Sequence, residues 1–558
     1  MGRHFGNLLP GKTHTSITTM GGISMYYNNK IWIGDTNGEK ICIEPKMANR
    51  HGLIAGATGT GKTVTLKVLA ESFSDAGVPV FLADIKGDLA GMCRPGVDSA
   101  DMQKRIQRFG LDQCGFHYQS YPTTFWDVYG EMGIPLRTTI TEMGPVLLSK
   151  LMNLNNTQSD ILTILFKIAD DNDLLLIDTK DLKAMLQYIG ENNKELSMEY
   201  GNIAKQSVTA ILRHVVALEA QGGDMFFTEP ALNISDFFTT GAGGKGMINV
   251  LDSRKLVNEP TMYATFLLWL MSELFDTLPE VGDLDKPRMV FFFDEAHLLF
   301  DDISKALEDK LEQIIKLIRS KGVGIYFITQ NPKDIPNGVL SQLGNKIQHA
   351  LRAYTPAEEK AVKAAADSFR TNPNFDTKEV LTSLGTGEAL ISVLDEQGIP
   401  GIVQNCKILP PQSMMGPITD EEKKREVLLS NTYLKYQDTI DRDSAYEFMQ
   451  RHNMQLAEAA AAEVQAKEDA KAAEKAAKEA AKQAEKEAKE AAKAKEKKKK
   501  AITSGVSSVA KTAGSTVGRE VGNAIGSAVG GSFGKKLGGN LGASLGRNIL
   551  GTLFKLGK

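Results

Sequence analysis

The sequence predicts an α/β fold centred on a parallel sheet, and three stretches of the chain predict it. An apolar run, Leu53-Ile54-Ala55, leads into the loop Gly56-Ala57-Thr58-Gly59-Thr60-Gly61-Lys62-Thr63 and then a helix-like stretch from Val64 to Phe73. A second run, Met289 to Phe293, ends abruptly in Asp294 and Glu295. A third, Val323 to Ile328, closes in Thr329-Gln330. Strands buried on both faces of a parallel sheet read as continuous apolar runs, and the groups that end them collect along one edge.

Each element follows in chain order. Residues 1–48 form a short β-rich segment with strands near Ile31 to Gly34 and Lys40 to Glu44, too little chain for a closed barrel. The glycine-rich loop is a complete Walker A sequence in the required strand-loop-helix setting. Its glycines let successive N–H groups point inward at phosphates, Lys62 reaches the β and γ oxygens of a nucleoside triphosphate such as ATP, and the Thr63 hydroxyl is placed for Mg²⁺. A strand from Val78 to Asp84 follows, ended by Asp84-Ile85-Lys86-Gly87-Asp88, which reads equally as a solvated turn or as the edge of the site.

A helical insertion at about residues 131–225 comes next, with core positions Leu147, Leu151, Leu162, Leu165 and Ile168 at helical spacing. Asp294 and Glu295 then make a Walker B end, the first holding Mg²⁺ through its water shell and the second polarising the water that attacks the γ-phosphate. Acidic residues also cap helices, so capping of a helix from Ala296 onward is the structural alternative, which the intact Walker A loop upstream disfavours. Apolar positions Leu307, Leu311, Ile314, Ile315 and Ile318 mark a helix that ends at Arg319. Gln330 finishes the following strand, where it can sense the γ-phosphate. Together these predict an additional-strand RecA-like P-loop NTPase, with a third strand between the Walker A and Walker B strands.

The segments His51 to Thr63, Phe293-Asp294-Glu295-Ala296-His297 and Arg319 to Pro332 together resemble the HerA/FtsK superfamily of hexameric DNA-pumping ATPases. The resemblance covers roughly residues 20 to 420, with the ATPase domain at 49–420. It implies a homo-hexamer with ATP between subunits, acting on DNA. Residue by residue it implies Lys62 and Thr63 as the Walker A pair, Asp294 as the metal carboxylate, Glu295 as the base, Gln330 as the sensor and Arg319 as an arginine finger supplied in trans. A cation at a helix C-terminus also favours the dipole there, and Arg352 is the alternative finger. The Asp-Glu-Ala-His string also invites a superfamily 2 helicase, which needs a second strand-helix series beyond residue 420. His297 reads as a partner of the Walker B region or as a packed helix residue.

Charge is distributed unevenly. Residues 501–558 hold seven Lys or Arg against one Glu, and residues 455–500 hold thirteen Lys against ten acids, so the formal net charge of −3 leaves −12 on the remainder. An acidic body argues against broad coating of nucleic acid and leaves room for a locally positive channel. Cys42, Cys93, Cys114 and Cys406 have no metal-type spacing, and no signal-peptide core or uninterrupted apolar span is evident, so a reduced, cytoplasmic protein is expected.

Connecting helices at 421–454 lead to an Ala/Lys/Glu-rich segment at 455–500, expected as one exposed helical stalk with Glu474 paired to Lys478 and Glu485 to Lys489. In the basic tail, 501–558, glycine recurs every fourth residue from Gly514 to Gly546, with apolar neighbours such as Val517, Ile525, Leu537 and Leu545. This is a glycine-zipper pattern, which packs helix backbones closely but orders only against a helical partner or an anionic membrane surface. A peptide of residues 501–558 should therefore show little helix by circular dichroism in dilute buffer and gain it with anionic vesicles or on self-association. Persistent disorder in both settings would make the repeat a flexible linker. The tail also supports a competing reading, a membrane-associated or protein-remodelling ATPase anchored through the zipper.

Overall fold

The computed structural model describes residues 26–114, 116–300 and 305–502; the glycine-zipper tail lies outside the described residues. The chain divides into two compact units, Met1–Ala169 with Leu175–Tyr446, and Asp170–Leu174 with Glu447–Lys558.

The first unit is built on one mixed sheet. Its strands are β1 (Tyr26–Tyr27), β2 (Lys30–Thr36), β3 (Glu39–Ile43), β4 (Gly52–Ala55), β5 (Val80–Asp84), β6 (Thr123–Asp127), β7 (Ile134–Pro135), β8 (Ile248–Asp252), β9 (Met289–Phe293), β10 (Val323–Thr329), β11 (Asn345–His349), β12 (Glu388–Ser392) and β13 (Gln404–Ile408). The order is β1-β2-β13-β12-β11-β4-β10-β9-β5-β8-β6-β7, with β3 on β2. From β11 to β7 every neighbouring pair is parallel. The apolar strands β4, β5, β8, β9 and β10 are buried throughout, which is why they read as unbroken apolar runs.

As expected, β10 separates the Walker A strand β4 from the Walker B strand β9. Register then fixes the site. Thr329 pairs with Ala55, and Phe327 pairs with both Leu53 and Phe293. The loops that leave β4, β9 and β10 therefore emerge side by side, with the Gly56 N–H donating to Thr329 O (3.3 Å) and the Ala296 N–H to Ile328 O (2.9 Å).

The N-terminal strands join this same sheet, because β2 pairs antiparallel with β13, which pairs with β12 and so with β11. Among the described residues no strand follows Ile408, so no second strand-helix series is present there. The predicted insertion consists of helices Ile140–Leu151, Asn156–Asp171, Thr179–Glu191, Asn193–Tyr200, Lys205–Ala220 and Gly223–Phe226 between β7 and β8. Leu147, Leu151, Leu162, Leu165 and Ile168 are all buried. Its first helix starts at a Thr139/Glu142 capping box and kinks at Gly144, whose φ is 72°, just before Pro145.

The helix Lys62–Asp75 is fastened by a buried polar staple. Glu71 accepts from the main-chain N–H groups of Gln412 (2.7 Å) and Ser413 (3.1 Å), while Lys67 Nζ donates to Met414 O (2.6 Å). Each buried charge thus has partners, without which it would be costly to bury. In the second unit the long helix Ala445–Ile502 begins ten residues earlier than the Ala/Lys/Glu composition suggests. The Glu474–Lys478 and Glu485–Lys489 pairs are formed, both at 2.6 Å and exposed, and contribute only a few tenths of a kcal/mol each.

Candidate active site

The phosphate loop is shaped by backbone geometry that side chains would block. Gly56, Gly59 and Gly61 have φ of 152°, 76° and 112°. A Cβ on Gly56 would lie 2.5 Å from the Cβ of His349, so the loop and β11 can meet only at a glycine. Within the curl, the Thr60 hydroxyl donates to Ala57 O (2.8 Å) and the Ala57 N–H donates to Ala350 O (2.9 Å). Lys62 folds back so that its ammonium donates to Gly56 O (2.5 Å) and Ala57 O (3.1 Å), inside the space the loop encloses. Burial lowers its pKa while the charges of Asp294 and Glu295 raise it. Thr63 is half-buried in the first turn of the helix.

Across the edge, Asp294 is pushed up to about 6, first by burial and then by the charge of Glu295; Lys86 and Lys62 act against both. Tyr263, fully buried, donates its hydroxyl hydrogen to Asp294 O (2.9 Å). Glu295 has φ of 46°, a left-handed conformation that costs a residue with a Cβ of order 1 kcal/mol or more and is typical of functional turns. Two groups face the Oε2 of Glu295 at 3.5 Å: Gln330 Nε2 and His297 Nδ1. The Oε1 of Gln330 in turn accepts from the Thr58 hydroxyl (3.4 Å). A chain of polar contacts therefore runs from the phosphate loop through Gln330 to Glu295 and His297. The contacts are long, as is common where substrate completes the geometry.

The structure thus gathers Gly56 to Thr63, Asp294, Glu295 and Gln330 along one edge. Arg319 is elsewhere, in a short 3-10 turn before β10 and so at the opposite edge of the sheet, with its carbonyl accepting from Asn49 Nδ2 (3.4 Å). Arg352 follows β11 on the phosphate-loop edge, and its guanidinium donates to Thr382 O (2.7 Å) and Leu384 O (3.4 Å).

Sequence reasoning missed His349 and Tyr263, whereas Lys86 lies at the edge of the site that the segment after β5 offered as one of its two readings. Lone residues up to about 290 positions from the loop they serve carry no periodic signal, and only the sheet order brings them there. His349 supports the loop from beneath. Its Nδ1–H donates to Glu388 O (3.0 Å), so its Nε2 accepts from the Thr65 hydroxyl (2.8 Å). Burial drives its pKa down to about 4, with Lys62 adding to the effect. Because the folded value lies below the unfolded value of about 6.5, stability from neutral His349 is complete above pH 6.5 and is lost as pH falls toward 4. Between pH 7 and pH 5 denaturation of the wild type should lose about 2 kcal/mol that His349→Gln does not lose. Asp84, raised to about 6 mainly by burial, acts in the opposite sense in both proteins and cancels in the comparison. Identical losses in the two would contradict a buried neutral His349.

A Walker A loop and a Walker B end on parallel strands of one sheet, with a polar group ending the strand between them, define a P-loop ATPase. The family model for HerA-like helicase C-terminal domains matches residues 29–537, and the chain belongs to that family. A probable helicase of Methanocaldococcus jannaschii is 32% identical over 154 residues, which cover 26% of this chain and 28% of that protein. The DNA double-strand break repair helicase HerA of Sulfolobus acidocaldarius is 22% identical over 399 residues, 70% of this chain and 72% of that protein. Among solved structures, VirB4 of Thermoanaerobacter pseudethanolicus aligns with a TM-score of 0.43 and 15% identity, covering 70% of this chain and 97% of that chain.

Proposed function

We propose that the protein is a Mg²⁺-dependent ATPase that works as a hexameric motor on DNA. The observation that carries the reading is the polar chain from Thr58 through Gln330 to Glu295, which links the phosphate loop to the group placed to act as base. In this reading the inward N–H groups of Gly56 to Thr63 and the Lys62 ammonium bind the phosphates, Lys62 exchanging two carbonyls for β and γ oxygens. Glu295 takes a proton from the attacking water, and Gln330 orients that water and reports on the γ-phosphate.

The donor set fits Mg²⁺. Among the described residues no group of three or more His, Cys, Asp or Glu could make an all-protein metal cage, and Mg²⁺ is held instead by one or two protein oxygens with substrate phosphates. Thr63 and Asp294 supply those oxygens, and the bound ion would neutralise charge building on the phosphates. In this reading Arg319, remote from its own subunit's loop, serves a neighbour's as the arginine finger that family membership suggests.

Action on DNA rests on family membership and on the HerA relative named as a DNA repair helicase. No described helix is long and apolar enough to cross a membrane. The test is ATP turnover with single-stranded DNA, duplex DNA, RNA, anionic vesicles or no addition, with particle mass measured alongside. DNA-stimulated turnover by a hexamer is expected. Stimulation by vesicles alone would favour the membrane-anchored reading.

A further inference from the structure

The turn after β5 brings a second cation to the phosphate edge. β5 lies directly beside the Walker B strand, with Leu82 paired to Phe292, so the residues after Ala83 and those after Phe293 leave the sheet next to one another. The turn is held firmly. Asp84 is buried, and its carboxylate accepts from the N–H of Gly87 (2.8 Å) and the N–H of Leu89 (3.1 Å). Gly87 has φ of 79°, and a Cβ there would lie 3.1 Å from the side chain of Arg254, whose guanidinium is itself fixed on Asp252 by hydrogen bonds of 3.0 and 2.6 Å. Lys86 thus stands on a fixed turn while its own side chain is exposed. Among the described residues no hydrogen bond or ion pair holds its ammonium.

We propose that Lys86 is a catalytic residue for ATP hydrolysis, its ammonium binding γ-phosphate oxygens from the Walker B side while Lys62 holds the phosphates from within the loop. The charge of Lys86 is felt on both sides of the site. Burial lowers the Lys62 pKa most, and Lys86 adds to that lowering. Asp294, raised chiefly by burial, is drawn back down by Lys86 as well as by Lys62. Two ammonium groups near enough to repel, on facing turns, are balanced by an anion between them, and the phosphate chain is that anion. Lys86 shares its side of the sheet with Asp294, the carboxylate assigned to Mg²⁺, so the terminal phosphate is the part it meets. As water attacks and the bond from the γ-phosphorus to the leaving ADP oxygen breaks, charge shifts among the γ oxygens and the leaving oxygen. Lys86 gives up no proton in this step and supplies positive charge where those oxygens are. The proposal rests on the ATP hydrolysis assigned above and needs neither the hexamer nor DNA.

The test compares the full-length wild type with Lys86→Gln and Lys86→Arg for ATP turnover, for ADP affinity and for the affinity of ADP with orthovanadate, which mimics the transferring phosphoryl group. Lys86→Gln should turn ATP over about a hundredfold more slowly, the low end for loss of one charge-stabilising donor, with KM shifted less than about threefold. It should bind ADP as the wild type does, which also shows that the loop is intact, and should bind ADP with vanadate about a hundredfold more weakly. Lys86→Arg, which keeps the charge, should recover most of both losses. Turnover of Lys86→Gln near that of the wild type, or lost turnover with the vanadate complex undiminished, would overturn the assignment. So would an equal loss of ADP affinity, which would make the turn a support of the phosphate loop. A wild type that binds ATP without hydrolysing it would overturn the hydrolysis on which the proposal rests.

Discussion

Glu295→Gln binds ATP as the parent does and turns it over at least about a hundredfold more slowly, the usual cost of losing a positioned base. The substitution keeps the shape of the side chain that Gln330 and His297 face at 3.5 Å, and leaves the phosphate loop and Asp294 in place. It removes only the carboxylate that accepts the proton. Lys62→Ala separates binding from chemistry, because it takes away the ammonium that sits inside the loop and should abolish ATP binding itself. Nucleotide affinity by fluorescence titration and turnover by phosphate release check the pair. Near-parent turnover by Glu295→Gln would remove Glu295 from the mechanism and leave its left-handed backbone a helix-start feature.

Arg319→Ala is expected to bind ATP normally and lose turnover on the order of a thousandfold, as removal of an arginine finger does. It precedes β10, whereas its own subunit's site forms where β10 ends, so the proposed finger can act only in trans. Mixing Arg319→Ala with Lys62→Ala subunits should restore activity, since some interfaces then combine an intact loop with an intact arginine. Neither protein alone can make such an interface. Unrescued activity in verified mixed rings, or normal activity of the single variant, would move the assignment to Arg352 or to neither residue.

The centre of the fold was legible because parallel strands buried on both faces must be apolar end to end, and Met289 to Phe293 and Val323 to Ile328 show that plainly. The polar residues that stop those runs, Asp294 and Gln330, marked the edge where the strands finish. The antiparallel border was not legible. β12 and β13 are short, and nothing local in Gln404 to Ile408 announces that it will pair with Gly34 and Asp35 nearly four hundred residues earlier. The supports of the site were hidden for the same reason. His349, Tyr263 and the Lys67–Glu71 staple are single polar residues in apolar surroundings, and their partners are set by packing rather than by spacing. The insertion helices were visible as a 3.6-residue pattern, but that pattern says nothing of the kink at Gly144.

The most direct measurement of the central claim is strand displacement from a DNA triplex, in which a motor moving along the duplex strips off a third strand that it does not itself unwind. The wild type with ATP and Mg²⁺ should release the labelled third strand, and release should vanish with Glu295→Gln although that variant still binds ATP. A wild-type protein that binds the duplex and hydrolyses ATP, yet leaves the third strand in place, would contradict the account.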